Sequence, residues 1–159
     1  MLLTENLLPT LRLSQQVARR MIKQGEGRDA GAPLGAIVNL SSIAARRTHP
    51  ELMAYSVASA ALDQLTRSLS VSLSPHRIRV NSIAFGSVMS ASMQSTLKDN
   101  RSYRLDIEQH TPLGRIASPT ELTETAQFLA SDAAGFMTGQ ILTLDGGRTL
   151  LDPVAAPVH

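Results

Sequence analysis

Apolar and polar positions divide the 159 residues into alternating short runs and longer periodic stretches. In residues 4–23, Leu7, Leu11, Ser14, Ala18 and Met21 recur at three- and four-residue steps, while Arg12, Arg19 and Lys23 lie elsewhere on the wheel. This spacing predicts a helix, with Pro9 near its first turn or at a kink. Ala36–Leu40 is apolar and bounded by glycine and serine, as expected of a buried parallel strand, with Asn39 interrupting it. Residues 50–73 predict a long helix: Pro50 suits its first turn, Leu62, Leu65, Leu69 and Leu73 continue an apolar face, and Pro75 stops it. The many Ala and Ser between positions 54 and 61 leave a side that a second helix or a ligand can approach closely. Ile78–Ile83 alternates and predicts the next strand. Residues 91–112 are polar and weakly periodic, and Ser118-Pro119-Thr120-Glu121 opens a helix that buries Leu122, Ala126 and Leu129. Phe136–Leu144 predicts the last strand, and Asp145-Gly146-Gly147 turns the chain away.

Composition narrows the class. The 43% apolar and 18% charged residues fit a globular chain, with residues 1–151 expected as one domain and 152–159 as a loose tail. No apolar run approaches the roughly 20 residues of a membrane helix, and the N-terminus lacks the pattern of a signal peptide. Cysteine is absent, which excludes disulfides and thiolate metal sites and fits a cytoplasmic protein; no metal site is expected. The net charge is only +2 and aromatics are 3%, with arginines scattered among acids, so a nucleic-acid partner is not expected. The glycines of Gly25–Pro33 do not follow G-x-G-x-x-G. They also link a helix to a strand, whereas a dinucleotide cradle links a strand to the following helix.

The candidate chemistry lies between positions 36 and 62. Ser42 ends the first apolar run, and Tyr55 stands thirteen residues later on the opening turns of the long helix. With Pro112-Leu-Gly-Arg-Ile-Ala-Ser-Pro119, Gly139 and Asp145-Gly-Gly, this order resembles the short-chain dehydrogenase/reductase family from Asn6 to Gly147. The resemblance implies an α/β fold, a Rossmann-like parallel sheet with flanking helices. It implies an NAD(P)-dependent oxidoreductase interconverting an alcohol and a ketone. Ser42 would hold the substrate oxygen, Tyr55 would pass a proton, and Asn6 would hold a relay water where its helix is distorted; read from the sequence alone, Asn6 is instead an N-cap. Gly86, Val88 and Ser90 match residues that contact the nicotinamide, with Phe85 in place of the usual proline; by itself Gly86 is a turn glycine. Residues 91–112 match a substrate lid, Asn39 matches a residue that braces backbone, and the helices at 4–23 and 50–73 match a dimer contact, so a homo-oligomer is expected.

Two departures limit the implied activity. Ser59 stands where the family has a lysine, four residues after the tyrosine. A free tyrosine titrates near 10, and a neighbouring cation favours the phenolate that a proton carrier needs. The family's N-terminal βαβ half, with its Gly-rich turn and the residue choosing NAD or NADP, finds no match here. Ending a parallel sheet there exposes a long apolar edge. Three readings follow: an impaired oxidoreductase whose other half comes from elsewhere, a non-catalytic pseudoenzyme or subunit acting through helix association, and a fragment with no function of its own.

Overall fold

A computed structural model of the chain describes residues 6–29 and 31–154. Three parallel strands, β1 (Gly35–Ser42), β2 (Ile78–Phe85) and β3 (Ile141–Leu144), form a sheet in the order β1-β2-β3. Helix α1 (Leu8–Gln24) precedes β1, and α2 (Met53–Leu73) connects β1 to β2. Helices α3 (Ala91–Asp99), α4 (Arg101–Gln109) and α5 (Pro119–Ala130) lie between β2 and β3. The expected α/β, Rossmann-like arrangement is therefore present, with β1 at an edge of the sheet.

Alternation along the strands assigns the two faces. Asn39 and Ser82 are register partners and face α2: the Asn39 Nδ2 donates to Thr66 Oγ1 at 2.9 Å, and Ser82 Oγ donates to the Asn39 carbonyl at 3.2 Å. Asn39 thus anchors a helix hydroxyl as well as receiving the β2 serine. The next residue of β2, Ile83, turns to the opposite face and packs with Leu129 of α5, joined by Val38, Leu122 and Ala126. Van der Waals burial on that side holds α5 to the sheet. The start of α5 is fixed by a capping box in which Ser118 Oγ accepts from the Glu121 N–H and the Glu121 carboxylate accepts from the Ser118 N–H. Arg79 closes the other end, donating to the carbonyls of Leu129 and Ser131.

Four sequence expectations change in detail. The helix expected over 4–23 is regular from Leu8, with Asn6 and Leu7 in a π turn, and residues 4 and 5 lie outside the described residues. Leu7 is its N-cap, without a side-chain hydrogen bond, so Asn6 is not the cap. The last strand begins at Ile141 rather than Phe136, because Gly139 takes φ +71° and its N–H donates to the Val80 carbonyl before the ladder starts. Residues 91–112, read as weakly periodic, form two nine-residue helices. The strand expected to be buried leaves Leu40 half exposed (52%), since no strand pairs with the outer edge of β1 among the described residues. Of the expected tail, residues 155–159 lie outside the described residues.

Candidate active site

The C-terminal ends of the parallel strands position the site, as is general for open α/β sheets. Ser42 and Phe85 are register partners at the last rung of β1 and β2, and Phe85 pairs with Leu144 of β3. Beyond this rung the three chains diverge. Ser42 Oγ accepts from the Ala44 N–H at 3.1 Å and turns β1 into a 3-10 segment. Ser41 Oγ donates to the Ser59 carbonyl at 3.3 Å, tying the strand end to the second turn of α2. Tyr55 and Ser59 are one helical turn apart and so share a face.

Two cavities meet here, with Tyr55 and Phe85 in the walls of both. The smaller, about 260 Å³, is lined by Asn6, Ser41, Tyr55 and Ser59 among others. The larger, about 840 Å³, is lined by Ser42, Tyr55, Gly86, Val88 and Ser90 together with residues from α3, α4, α5 and the stretch after β3. Each of the seven residues singled out in the sequence thus borders one or both cavities, with Tyr55 at the junction. Asn6 sits in the π turn that precedes α1, and its carbonyl accepts from Thr10 Oγ1 at 2.7 Å. Ser42, Ser59 and Val88 are buried, whereas Tyr55 is partly exposed.

The loop after β2 is held on two sides. Gly86 donates its N–H to the Leu144 carbonyl at 2.9 Å, and a Cβ at Gly86 would stand 3.1 Å from the Asp145 Cβ. Close approach, rather than a left-handed backbone, is what favours glycine at this position, since a side chain there would need Asp145 to move by a few tenths of an ångström. Val88 bridges to Ala117, with Met89 N–H donating to the Ala117 carbonyl at 2.8 Å, so the loop is fastened just ahead of the α5 cap. Ser90 caps α3, its Oγ accepting from the Met93 N–H.

Burial pushes the Asp145 carboxyl up, but hydrogen bonds from Thr149 and Gly147 and the Arg148 charge outweigh it and hold the group below its ordinary range. The anion is therefore the stable form of the residue that buttresses Gly86. Arg115 holds Glu121 well down, at about 2, through a bidentate pair helped by the Ser118 N–H; the same pair raises Arg115. This second pair lies at the α5 cap and fastens the scaffold.

Several residues that the sequence did not single out also line the larger cavity: Arg47, His49, His110 and Arg148. Arg47 donates through Nε to the Thr149 carbonyl at 3.1 Å and through Nη2 to the carbonyls of Thr149 and Leu151. Arg148 Nη1 donates to Ser87 Oγ at 3.2 Å. The basic run Arg46-Arg47-Thr48-His49, inside the thirteen-residue interval from Ser42 to Tyr55, was a usable signal. No local signal marks Arg148 or His110, which only the fold brings to the same wall.

The comparisons agree with this geometry. The sequence model described as Enoyl-(Acyl carrier protein) reductase matches residues 2–149. An oxidoreductase of Mycobacterium tuberculosis (strain CDC 1551 / Oshkosh) is 39% identical over 115 residues, 72% of this chain and 43% of the relative. Among solved structures, a gluconate 5-dehydrogenase from Burkholderia cenocepacia J2315 in complex with NADP and tartrate superposes with a TM-score of 0.79 at 29% identity, covering 90% of this chain and 52% of that one. A 7 alpha-hydroxysteroid dehydrogenase complexed with NADH and 7-oxo glycochenodeoxycholic acid has the same TM-score at 33% identity, covering 89% and 52%. The chain belongs to the short-chain dehydrogenase/reductase family, a family of oxidoreductases. It spans about half the length of the curated relatives it matches. Among the described residues, no helix is long and apolar enough to cross a membrane.

Proposed function

We propose that the two cavities around Tyr55 are the catalytic side of an NAD(P)-dependent oxidoreductase site that interconverts an alcohol and a ketone. We further propose that this chain by itself carries the site in an impaired form. The observation that supports the reading is the meeting of Ser42 and Tyr55 at one cavity wall with Gly86, Val88 and Ser90. In this reading Ser42 donates to the carbonyl oxygen and Tyr55 delivers the proton. Asn6, which lines the smaller cavity together with Tyr55, holds a relay water. The nicotinamide end of NAD or NADP lies against Gly86, Val88 and Ser90, and when bound it supplies the hydride.

The impairment has two parts. Ser59 is uncharged, so no cation stands one turn after Tyr55 to favour a phenolate. The glycine-rich segment Gly25–Pro33 leads from α1 towards β1, the reverse of the strand-to-helix order that presents free N–H groups to a pyrophosphate.

The test is cofactor-linked absorbance against a panel of secondary alcohols and ketones, in a protein supplied with a nucleotide-binding half. Ser59→Lys should raise the rate, and Ser59→Lys with Tyr55→Phe should abolish the gain. Equal rates for parent and Ser59→Lys would refute the assigned defect, and a gain that survives Tyr55→Phe would refute the proton donor. For the chain alone, calorimetry should detect no micromolar binding of NAD or NADP.

A second reading, association of copies through α1 and α2, is favoured by one observation. Leu13 of α1 and Met53, Val57 and Val71 of α2 are all solvent-exposed apolar residues on the two helices concerned. Covering such a stripe is a common cause of homo-oligomer formation.

A further inference from the structure

We propose that the larger cavity selects organic anions: ligands with an apolar body and one carboxylate-like group, the anion being received by Arg47 and Arg148. The proposal rests on reading that cavity as the substrate side of the site. It concerns what the ligand carries, not the redox step.

Two guanidinium groups line the cavity and one carboxylate does, that of Asp106. Asp106 already has a partner: His110 Nδ1 stands 3.2 Å from its Oδ1 and 2.8 Å from its carbonyl oxygen. Asp145, the acid nearest in sequence to Arg148, is outside the lining and accepts from the N–H groups of Gly147 and Thr149; it feels the Arg148 charge but makes no hydrogen bond to that guanidinium. Among the side chains that line it, two guanidinium groups face one carboxylate, an excess of positive charge that an anionic ligand would balance.

Donor capacity points the same way. Arg47 spends Nε and Nη2 on the carbonyls of Thr149 and Leu151, and its Nη1 has no hydrogen-bond partner among the described residues. Arg148 spends Nη1 on Ser87 Oγ, leaving Nε and Nη2 without partners among the described residues. His49 Nδ1 accepts from the Glu51 N–H at 3.2 Å, so the neutral ring carries its proton on Nε2 and adds a further donor. The guanidinium fork matches a carboxylate in plane and spacing, which an alcohol cannot reproduce.

The rest of the wall sets the body of the ligand. Ile43, Leu52 and Leu122 are apolar, and a volume of about 840 Å³ is within the range of small-molecule sites. Arg47 comes from the segment after β1 and Arg148 from the segment after β3, so the anion would also bridge two parts of the wall that share no local sequence.

The experiment is an amide NMR titration of the full chain with a matched pair, 4-phenylbutyrate and 4-phenyl-1-butanol, at low and at physiological salt. The carboxylate should bind about fivefold more tightly at low salt, the factor expected of one partly exposed charge-assisted contact. The preference should shrink as salt rises, and the shifted amides should include residues 47–49, 87–88 and 148. Arg148→Met should remove most of the preference while leaving the alcohol's affinity unchanged, which reports that the cavity is intact. Arg47→Lys, which keeps the charge but loses the hold on the Thr149 and Leu151 carbonyls that orients it, should weaken the preference without abolishing it. Equal affinities, a preference that survives both substitutions, shifts confined to α3 and α4, or no binding of either probe would each overturn the proposal. No cofactor is present, so a failed turnover assay does not bear on this result, and loss of the anion preference leaves the alcohol–ketone reading standing.

Discussion

The hydroxyl of Thr66 carries more of the structure than its size suggests, and Thr66→Val measures it. Thr66 is fully buried at 0% exposure, donates to the Leu62 carbonyl at 3.0 Å and accepts from Asn39 Nδ2 at 2.9 Å. Valine preserves the shape and removes both bonds. The Leu62 carbonyl retains its place in the helix ladder, so that loss is small. The Asn39 amide, itself buried, loses the hydroxyl that accepts from Nδ2. A buried donor without a partner costs about 1–3 kcal/mol, so Thr66→Val should destabilise by roughly 2 kcal/mol. For a chain of this size that is about 4–8 °C in Tm. Thr66→Ser keeps the hydroxyl and should cost only about 1 kcal/mol for the lost methyl. The decisive measurement is a cycle by urea denaturation with Asn39→Leu. If the pair acts as argued, the double variant should be less destabilised than the sum of the singles by about 1–2 kcal/mol, because removing both partners leaves no orphan. A Thr66→Val loss below about 0.5 kcal/mol, or strict additivity in the cycle, would refute the reasoning.

Three further outcomes are expected. Glu121 has a folded pKa of about 2, below its ordinary 4.5, so the Arg115–Glu121 pair stabilises the fold fully above about pH 4.5 and loses its effect as pH falls through 2; denaturation across that window should show the gap between parent and Glu121→Gln closing with acid. Gly86→Ala places a methyl 3.1 Å from the Asp145 Cβ and should cost about 1–3 kcal/mol in thermal or urea unfolding, with the larger cavity disturbed. Val57→Glu and Val71→Glu, at positions 54% and 74% exposed, should shift light-scattering mass toward monomer without lowering stability; a monomer at every concentration before substitution would reject the helix-mediated association. Leu65, the residue the sequence pattern points to, is half-buried and would confound that test with a loss of packing.

The sequence was sufficient for whatever depends on local order. Periodicity located α2, α5 and the three strands, and Ser118-Pro119-Thr120-Glu121 located the start of α5, where the structure forms a capping box among neighbours in the chain. Ser42, Tyr55 and Ser59 could be named from the family resemblance, whose motif lies on a strand end and the first turns of the following helix. Elsewhere, long-range contacts decided. The start of β3 depends on Gly139 meeting Val80, and the exposure of Leu40 depends on what stands beside β1. The meeting of Arg47 and Arg148 on one cavity wall follows from β1 and β3 ending at the same side of the sheet, roughly a hundred residues apart in the chain. Composition and periodicity report which face of an element is apolar; they do not report which elements share a wall. Only the parallel register of the three strands brings these charges together.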